Sequence, residues 1–147
     1  MKFESEAEQE RFGRKLGALL RPGDVVTLSG PLGAGKTVLA RGMLRGAGHE
    51  GEVPSPTFTL VQPYEDAALL LPIWHADLYR LDDPGEVPAL ALDEVLEDGA
   101  LIVEWPERAG SLLPGLALAL TLTGTGAEPR RLTADVPPDW ERRWATI

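Results

Sequence analysis

The amino-acid sequence contains one stretch that decides the fold, Gly30-Pro31-Leu32-Gly33-Ala34-Gly35-Lys36-Thr37, here termed the glycine loop. It fits the pattern G-x-x-x-x-G-K-[ST], which is typical of a loop that binds phosphate. Glycines let the backbone adopt positive φ and approach a phosphate closely. Successive N–H groups then form a nest for an anion at the start of a helix.

The individual residues of the glycine loop predict how a nucleotide is bound. The ammonium group of Lys36 is expected to meet the β- and γ-phosphates, and the hydroxyl of Thr37 is expected to bind Mg²⁺. The predicted cofactor-binding residues are therefore Gly30, Pro31, Leu32, Gly33, Ala34, Gly35, Lys36, Thr37 and Val38. The alternative interpretation is a glycine turn followed by a surface lysine.

The residues on either side of the glycine loop predict its structural context. Residues 25–29 form a short apolar, β-branched run, which indicates a buried parallel strand. After the loop, apolar residues recur at helical spacing, at Val38, Leu39, Met43 and Leu44. This order of strand, loop and helix predicts an α/β fold, a P-loop NTPase-like three-layer sandwich. The sheet is expected to be mainly parallel, with an antiparallel extension that includes residues 116–123 and 130–135.

Other patterns along the chain predict further elements. A helix is expected over residues 6–20, with Ser5 as its N-cap and Glu8 completing a capping box. Residues 55–61 alternate as a strand does, and Pro63 ends that strand or puts it at an edge of the sheet. The remaining predictions are a pairing strand within residues 69–78, short helices over 84–97 with Asp93 as a cap, a buried strand over 100–104, and a docking helix with Trp140 and Trp144.

Length and composition limit the classes of protein that this chain can represent. Its 147 residues predict a single domain over residues 1–147. The absence of cysteine excludes disulfides and thiolate metal sites, and favours a reducing cytoplasm. With 14 basic and 23 acidic residues, the net charge of −9 argues against direct binding of nucleic acid. No stretch of the sequence is apolar for long enough to span a membrane.

Two carboxylates follow apolar runs and are candidates for the chemistry. Glu104 ends the run over residues 100–104, at the edge where open α/β sheets bind ligands. We expect it to bind the Mg²⁺ beside Thr37, either directly or through another ligand of the metal, and the alternative is an ion pair with Arg108. Asp77 ends the other long apolar run and is expected to orient the attacking water or the ligands around the metal. Its alternative role is to cap a turn or to pair with Arg80.

Three further residues are candidates with less specific signals. Thr57 either senses the γ-phosphate or simply starts a strand. Trp105 either covers the nucleotide, meets a partner or belongs to the core, and His75 is more consistent with a structural role. Because the chain has no asparagine, an Asn-Lys-x-Asp element that reads guanine is impossible, which favours ATP over GTP.

Taken together, four segments of the sequence resemble the TsaE (YjeE) family of small bacterial ATPases. They occur in the family's order and spacing, and the resemblance spans nearly the whole chain. The segments are Leu28-Ser29-Gly30-Pro31-Leu32-Gly33-Ala34-Gly35-Lys36-Thr37, Ser55-Pro56-Thr57-Phe58-Thr59-Leu60-Val61, His75-Ala76-Asp77-Leu78-Tyr79-Arg80-Leu81 and Glu104-Trp105-Pro106-Glu107. The family usually has Asp where this chain has Pro31, and often has Thr near adenine where this chain has Gln9.

The resemblance implies an activity, cofactors and partners. It implies an ATPase that uses ATP and Mg²⁺, with Lys36, Thr37, Asp77 and Glu104 as catalytic residues. It also implies that Thr57 and Gln9 contact the nucleotide, and that Thr37 and Glu104 serve the metal. The implied partners are TsaB and TsaD, which would meet tRNA in place of this chain. Two alternatives stay open at this point, a small-molecule kinase and a non-catalytic binding module gated by nucleotide.

Overall fold

The computed structural model describes residues 1–54 and 60–147. Within these residues, one mixed sheet contains the strands β1 (Lys2–Phe3), β2 (Val25–Ser29), β3 (Val61–Tyr64), β4 (Ile73–Asp77), β5 (Ala100–Glu104), β6 (Ala117–Thr123) and β7 (Arg130–Asp135). The α-helices are α1 (Glu6–Gly17), α2 (Lys36–Gly46), α3 (Leu92–Val95) and α4 (Glu141–Trp144). Short 3-10 helices cover Pro84–Leu90, Pro106–Ala109 and Pro138–Trp140.

The sheet has a parallel centre and antiparallel flanks, as predicted. Its strand order is β1-β7-β6-β2-β5-β4-β3. Strand β2 pairs in parallel with β5 and β6, and β5 pairs in parallel with β4. Strand β7 pairs antiparallel with β6 on one side of the sheet, and β3 pairs antiparallel with β4 on the other side. Pro63 lies in β3, the last strand of the sheet, where its missing N–H leaves no gap in the ladder.

Helices cover both faces of the sheet, which confirms the three layers. Val26, Leu28 and Ile102 belong to the core on the side of α1 and α2. Their neighbours Val25 and Leu101 belong to a second core, shared with the short helices that follow β4 and β5. Alternate side chains of a strand point to opposite faces, so each buried strand supplies both cores.

Helices α1 and α2 approach each other closely through glycines. A Cβ added to Gly17 would collide with the carbonyl of Met43, and one added to Gly46 would collide with the carbonyl of Arg14. Larger residues at these positions would therefore push the two helices apart. This close packing brings the first turns of α1 beside the glycine loop.

The N-cap of α1 is confirmed, with a small difference in the capping box. The Oγ of Ser5 accepts a hydrogen bond from the N–H of Glu8 at 3.2 Å. The carboxylate of Glu8 reaches back to the N–H of Glu4 at 2.6 Å, one residue earlier than the standard box. The helix ends at Gly17, before the predicted residue 20, because the chain turns there toward β2.

The predicted cap at Asp93 is wrong. Helix α3 begins at Leu92, and its N-cap is Ala91, whose φ is 52°. Asp83 is the residue that caps in this region, because its side chain accepts from the N–H of Gly85 at 2.9 Å. The cap belongs to the preceding 3-10 helix, which the apolar pattern does not separate from α3.

The tail forms the predicted docking helix. Trp140 is buried at the end of the last 3-10 helix, and Trp144 of α4 packs edge-on against Phe12, with ring centroids 5.9 Å apart. The guanidinium of Arg143 reaches Asp24 just before β2, with Nη1 2.6 Å from Oδ2 and Nη2 3.0 Å from Oδ1. This bidentate ion pair fixes the tail to the start of the central strand.

Candidate functional site

The glycine loop connects the end of β2 to the start of α2, as predicted. Gly30, Gly33 and Gly35 all have positive φ, at 143°, 81° and 97°. Gly35 is the N-cap of α2, and a Cβ there would collide with the side-chain amide of Gln9. The loop therefore needs glycine for its backbone conformation and, at Gly35, also for the close approach of α1.

The side chain of Lys36 lies inside the glycine loop. It is 5% exposed, so it is not the surface lysine of the alternative interpretation. Its Nζ donates to the carbonyl of Gly30 at 2.5 Å and to that of Pro31 at 2.9 Å. Burial lowers the pKa of Lys36, and the nearby carboxylates, chiefly Glu104, oppose this shift. A buried ammonium group whose hydrogen bonds go to neutral carbonyls can exchange those bonds for phosphate oxygens.

Thr37 and Glu104 meet directly behind the glycine loop. The Oγ1 of Thr37 donates to the carboxylate of Glu104 and lies 2.9 Å from Oε1 and 3.2 Å from Oε2. Glu104 is 2% exposed, and its Oε2 also lies 2.6 Å from the Nε2 of His75. The structure thus joins two residues that are 67 positions apart in the sequence. Glu104 does not pair with Arg108, whose guanidinium stacks on the ring of Tyr79 at 5.6 Å.

Sheet register places Asp77 beside Glu104. In the parallel pairing of β4 with β5, Asp77 is opposite Glu104, and in that of β2 with β5, Leu28 is opposite Glu104. The Oδ1 of Asp77 accepts from the N–H of Tyr79 at 3.0 Å, so Asp77 does cap a turn. Burial raises the pKa of Asp77, and the hydrogen bond from Tyr79 opposes this shift. Asp77 also lines the cavity at the glycine loop, so the turn does not exclude a role in chemistry.

Trp105 follows Glu104 and turns toward the glycine loop. Its backbone is left-handed, with φ 58° and ψ 51°, a conformation that few residues other than glycine adopt. Its ring lies 4.1 Å from the Nζ of Lys36 and packs on the ring of Tyr79, with centroids 5.0 Å apart. Trp105 lines the cavity at the glycine loop and also packs against the second core, so its position is consistent with both the nucleotide-covering and the core interpretations.

Two cavities flank the glycine loop. One, of about 280 Å³, is lined by Lys36, Thr37, Val38, Leu32, Asp77, Glu104 and Trp105, among others. The other, of about 270 Å³, lies between the first turn of α1 and the turn that joins β6 to β7. Gly33, Gly35 and Glu6 line both cavities. A ligand can therefore follow the loop from one cavity to the other.

Gln9 supports the glycine loop from the side of α1. It is 1% exposed and lines the second cavity, and its Nε2 donates to the carbonyl of Ala34 at 3.1 Å. Its amide therefore fixes the loop backbone, and its expected contact with the nucleotide stays a prediction. The predicted contact of Thr57 lies outside the described residues.

The oxygen donors at the site fit Mg²⁺ bound together with phosphate. A hydroxyl and a carboxylate, here those of Thr37 and Glu104, are ligands that Mg²⁺ prefers, and it usually completes its shell with phosphate and water oxygens. No group of three or more His, Cys, Asp or Glu side chains in residues 1–54 and 60–147 has the arrangement to hold a metal by itself. The donor chemistry of Thr37 and Glu104 therefore fits Mg²⁺.

Comparison with known proteins identifies the family. The model of the family described as threonylcarbamoyl adenosine biosynthesis protein TsaE matches residues 3–132. The chain belongs to the TsaE family. This confirms the resemblance found in the sequence, and the TsaE family takes part in the biosynthesis of threonylcarbamoyladenosine in tRNA.

Relatives of known name support the same assignment. A TsaE protein of Streptomyces coelicolor is 47% identical over 140 residues, which cover 92% of this chain and 93% of the relative. One from Bacillus subtilis is 38% identical over 127 residues, covering 86% and 78%, and one from Haemophilus influenzae is 44% identical over 110 residues, covering 71% and 68%. All three are named tRNA threonylcarbamoyladenosine biosynthesis protein TsaE.

A solved structure shares the fold of this TsaE family member. The crystal structure of YdiB from Bacillus subtilis superimposes with a TM-score of 0.83 at 30% identity, covering 99% of this chain and 90% of YdiB.

None of the helices in the described part of the chain has the length and apolar character needed to cross a membrane.

The sequence predicts a structural role for His75 but not its partner. The imidazole is fully buried, as expected of a structural histidine, and its Nε2 contacts the carboxylate of Glu104. The signal was present in the alternation of β4, because Ile73, His75 and Asp77 share one face of that strand. A polar residue between an apolar core position and a candidate catalytic carboxylate indicates a partner inside the site.

Proposed function

We propose that this chain binds ATP with Mg²⁺ and hydrolyses it in support of a TsaB–TsaD complex. That complex would form threonylcarbamoyladenosine next to the anticodon of tRNAs that decode ANN codons. The observation that carries the proposal is the contact of Thr37 with Glu104 directly behind the glycine loop. The hydroxyl and the carboxylate brought together at that position would hold a phosphate-bound Mg²⁺.

The glycine loop and Lys36 would bind the phosphates. The backbone N–H groups at the start of α2 supply partial positive charge, and the ammonium group of Lys36 supplies a full one. In the nucleotide complex, Lys36 would exchange the carbonyls of Gly30 and Pro31 for β- and γ-phosphate oxygens. Mg²⁺, when bound at Thr37 and Glu104, supplies further neutralisation of the phosphate charge.

Asp77 would hold the attacking water. It lines the same cavity as Lys36 and Thr37, and sheet register sets it beside Glu104. Its raised pKa, caused mainly by burial, makes its carboxylate a better proton acceptor than an exposed one. Asp77 would therefore orient the water by a hydrogen bond and accept its proton. The water oxygen would bond to the γ-phosphorus as the bond between that phosphorus and the β–γ bridging oxygen breaks, and ADP would leave with inorganic phosphate formed.

The base would occupy the second cavity, beside α1. Gln9 lines that cavity and fixes Ala34 of the glycine loop. The chain has no asparagine, so the Asn-Lys-x-Asp element that distinguishes guanine is impossible. These features favour ATP over GTP. The net charge of −9 favours contact with tRNA through the partner proteins rather than by this chain.

Turnover by the isolated chain is expected to be slow. Fast phosphoryl transfer often uses an arginine beside the γ-phosphate. Arg41 and Arg45 of α2 are directed to Glu10, at 3.6 and 4.0 Å, and Arg108 stacks on Tyr79. A partner that supplies or orders a further positive charge would raise the rate. We expect at least tenfold stimulation, which corresponds to about 1.4 kcal/mol in the barrier.

Phosphate release from ATP tests this function. It is measured for the chain alone, for purified TsaB and TsaD, and for the three together at saturating ATP. Slow release by the chain and at least tenfold faster release by the three proteins supports the proposal. Equal rates contradict activation by the partners. Binding of ATP without any release indicates a nucleotide-gated binding module, and transfer to a nucleoside or sugar acceptor in a panel indicates a kinase.

A further inference from the structure

A buried histidine lies behind the proposed metal ligand Glu104. His75 is fully buried on β4, on the sheet face that packs against α2. Its Nε2 lies 2.6 Å from the Oε2 of Glu104. Burying an imidazole in an apolar core is unfavourable unless it forms hydrogen bonds. The bond to Glu104 is the contact that offsets this burial in the described part of the chain.

The hydrogen bond has a defined direction. We assign the ring proton to the Nε2 of His75, since Nδ1 is buried with no hydrogen-bond partner among the described residues and a proton there would be left unpaired. The other oxygen, Oε1, lies nearer to the hydroxyl of Thr37, at 2.9 Å compared with 3.2 Å for Oε2. The imidazole therefore fixes the rotation of the carboxylate and leaves Oε1 directed at the threonine.

We propose that His75 is a positioning residue, which holds the Glu104 carboxylate in the orientation that binds Mg²⁺. The inference deepens the proposed function and rests on it. Carboxylates that bind metals are themselves held by hydrogen bonds, and removing such a partner typically weakens metal binding by about 10–100-fold. His75 acts through Glu104 and does not touch the nucleotide.

Three substitutions separate the hydrogen bond from packing. His75→Leu replaces the hydrogen-bond donor by an apolar side chain of similar size beside Ile73 and Ile102. His75→Gln places an amide donor near the position of Nε2 and is expected to restore the bond. His75→Asn keeps a polar group, but its shorter side chain ends before Glu104. Comparison of Gln with Asn remains decisive where the Leu variant does not fold.

The chain offers a matched control in its second histidine, His49. This residue also contacts a carboxylate, with Nδ1 2.8 Å from the Oδ2 of Asp66. It follows the other end of α2, and that 11-residue helix is about 16 Å long. His49→Leu therefore removes a histidine–carboxylate contact at a distance from the glycine loop.

The first experiment uses ADP, which avoids turnover, and measures the free Mg²⁺ concentration that half-saturates the ADP-bound protein. Calorimetry with EDTA gives the metal-free affinity for ADP as a reference. We expect His75→Leu and His75→Asn to need at least tenfold more Mg²⁺ than the parent, with unchanged metal-free affinity. His75→Gln is expected to stay within about threefold of the parent, and His49→Leu to match it.

The outcomes distinguish this inference from the proposed function. If the parent does not bind ADP, the proposed nucleotide site is wrong. If the parent binds ADP and Mg²⁺ while His75→Leu or His75→Asn needs no more Mg²⁺, only the positioning role is wrong. A metal-free readout is the ¹⁵N NMR spectrum of His75 in the free protein. A proton on Nε2 supports the inference, and a neutral ring with its proton on Nδ1 overturns it.

Discussion

The central strand β2 has buried ionic side chains at both ends, and the two ends satisfy them in opposite ways. Before the strand, Asp24 and Arg143 are each less than 10% exposed and pair directly through two short hydrogen bonds. Arg143 also donates to the carbonyls of Leu19 and Asp139 and stacks on Trp140 at 3.8 Å. The charges at this end are neutralised within the chain itself.

After the strand, the charges of Lys36 and Glu104 are equally buried but remain apart. Among the described residues, no ion pair within 4.0 Å joins Lys36 to a carboxylate. Lys36 uses carbonyl groups of the glycine loop, and Glu104 uses Thr37 and His75. Two cavities open at this end.

The difference separates stability from function. A direct buried pair is strongly disrupted by the loss of one partner, since the other is left as an uncompensated charge. Charges that are not paired with each other keep their capacity for an external ligand, and buried ionisable groups of this kind are concentrated at functional sites. We therefore expect substitutions before β2 to change mainly the free energy of unfolding, and substitutions after it to change mainly nucleotide binding and turnover.

The largest expected effect is that of Arg143→Ala on stability. It leaves Asp24 buried without its partner, so the free energy of unfolding is expected to fall by about 3–5 kcal/mol. Urea denaturation measures this change, and Arg142→Ala, an exposed neighbour, is the control. ATP affinity of the folded variant is expected to equal that of the parent. A loss below 1 kcal/mol contradicts the assignment of this end to stability.

Lys36→Ala is expected to have the largest effect on binding. It removes the ammonium group proposed to meet two phosphates, so ATP affinity is expected to fall about 100-fold, or roughly 3 kcal/mol. Because burial lowers the pKa of Lys36, its charge is not favoured by the fold, and we expect little loss of stability. Calorimetry measures the ATP affinity of this variant, and Lys15→Ala, at an exposed position, is the control. Unchanged affinity excludes the glycine loop as the phosphate site.

Thr37→Ala and Glu104→Ala test the proposed metal ligands at the end after β2. Both are expected to slow Mg²⁺-dependent hydrolysis at least tenfold, about 1.4 kcal/mol in the barrier. ATP binding is expected to weaken less, because Lys36 and the loop N–H groups remain. Phosphate release and calorimetry on the same preparations compare the two effects. If either variant hydrolyses ATP at the parent rate, the substituted residue is not a ligand of the metal.

Asp77→Asn has the smallest expected effect on stability, and its sign depends on pH. Burial raises the pKa of Asp77 above its usual value of about 4. The unfolded chain therefore releases this proton at lower pH than the folded chain, and stability falls as pH rises through that window. The Asn variant keeps the acceptor for Tyr79 and lacks the buried charge.

We expect Asp77→Asn to be slightly more stable than the parent at pH 7, and we expect this advantage to disappear near pH 4. Urea denaturation at the two pH values measures it. Turnover is expected to be lost at pH 7, because an amide does not accept the proton of water. If the variant is less stable at pH 7 and keeps its turnover, capping of the turn at Tyr79 is the main role of Asp77.

Most of the fold follows from local patterns in the sequence. Strand β2, the glycine loop and α2 are predicted together, because glycine spacing and apolar periodicity act over a few residues. The antiparallel pair β6 and β7 follows from the same kind of pattern. The cap at Asp93 was wrong, since two short helices in succession share one apolar pattern and only the backbone shows where each begins.

Contacts between distant segments could not be predicted in the same way. The contact of Glu104 with Thr37 was expected from the general architecture of α/β sheets. The support of Ala34 by Gln9 and the bond of His75 to Glu104 depend on which helix and which strand become neighbours. The glycines that bring α1 against α2, such as Gly17 and Gly46, have no local signature, because their function is to avoid a collision with another helix.

The most direct test of this account is the free energy of unfolding of the parent chain with and without ATP and Mg²⁺. A ligand that binds only the folded state stabilises it, by about 2.7 kcal/mol at a concentration 100 times its dissociation constant. We predict this gain for the parent and for Arg142→Ala, and its loss in Lys36→Ala. If ATP with Mg²⁺ leaves the parent's free energy of unfolding unchanged, the charges after β2 are not kept apart for a nucleotide, and the central claim is wrong.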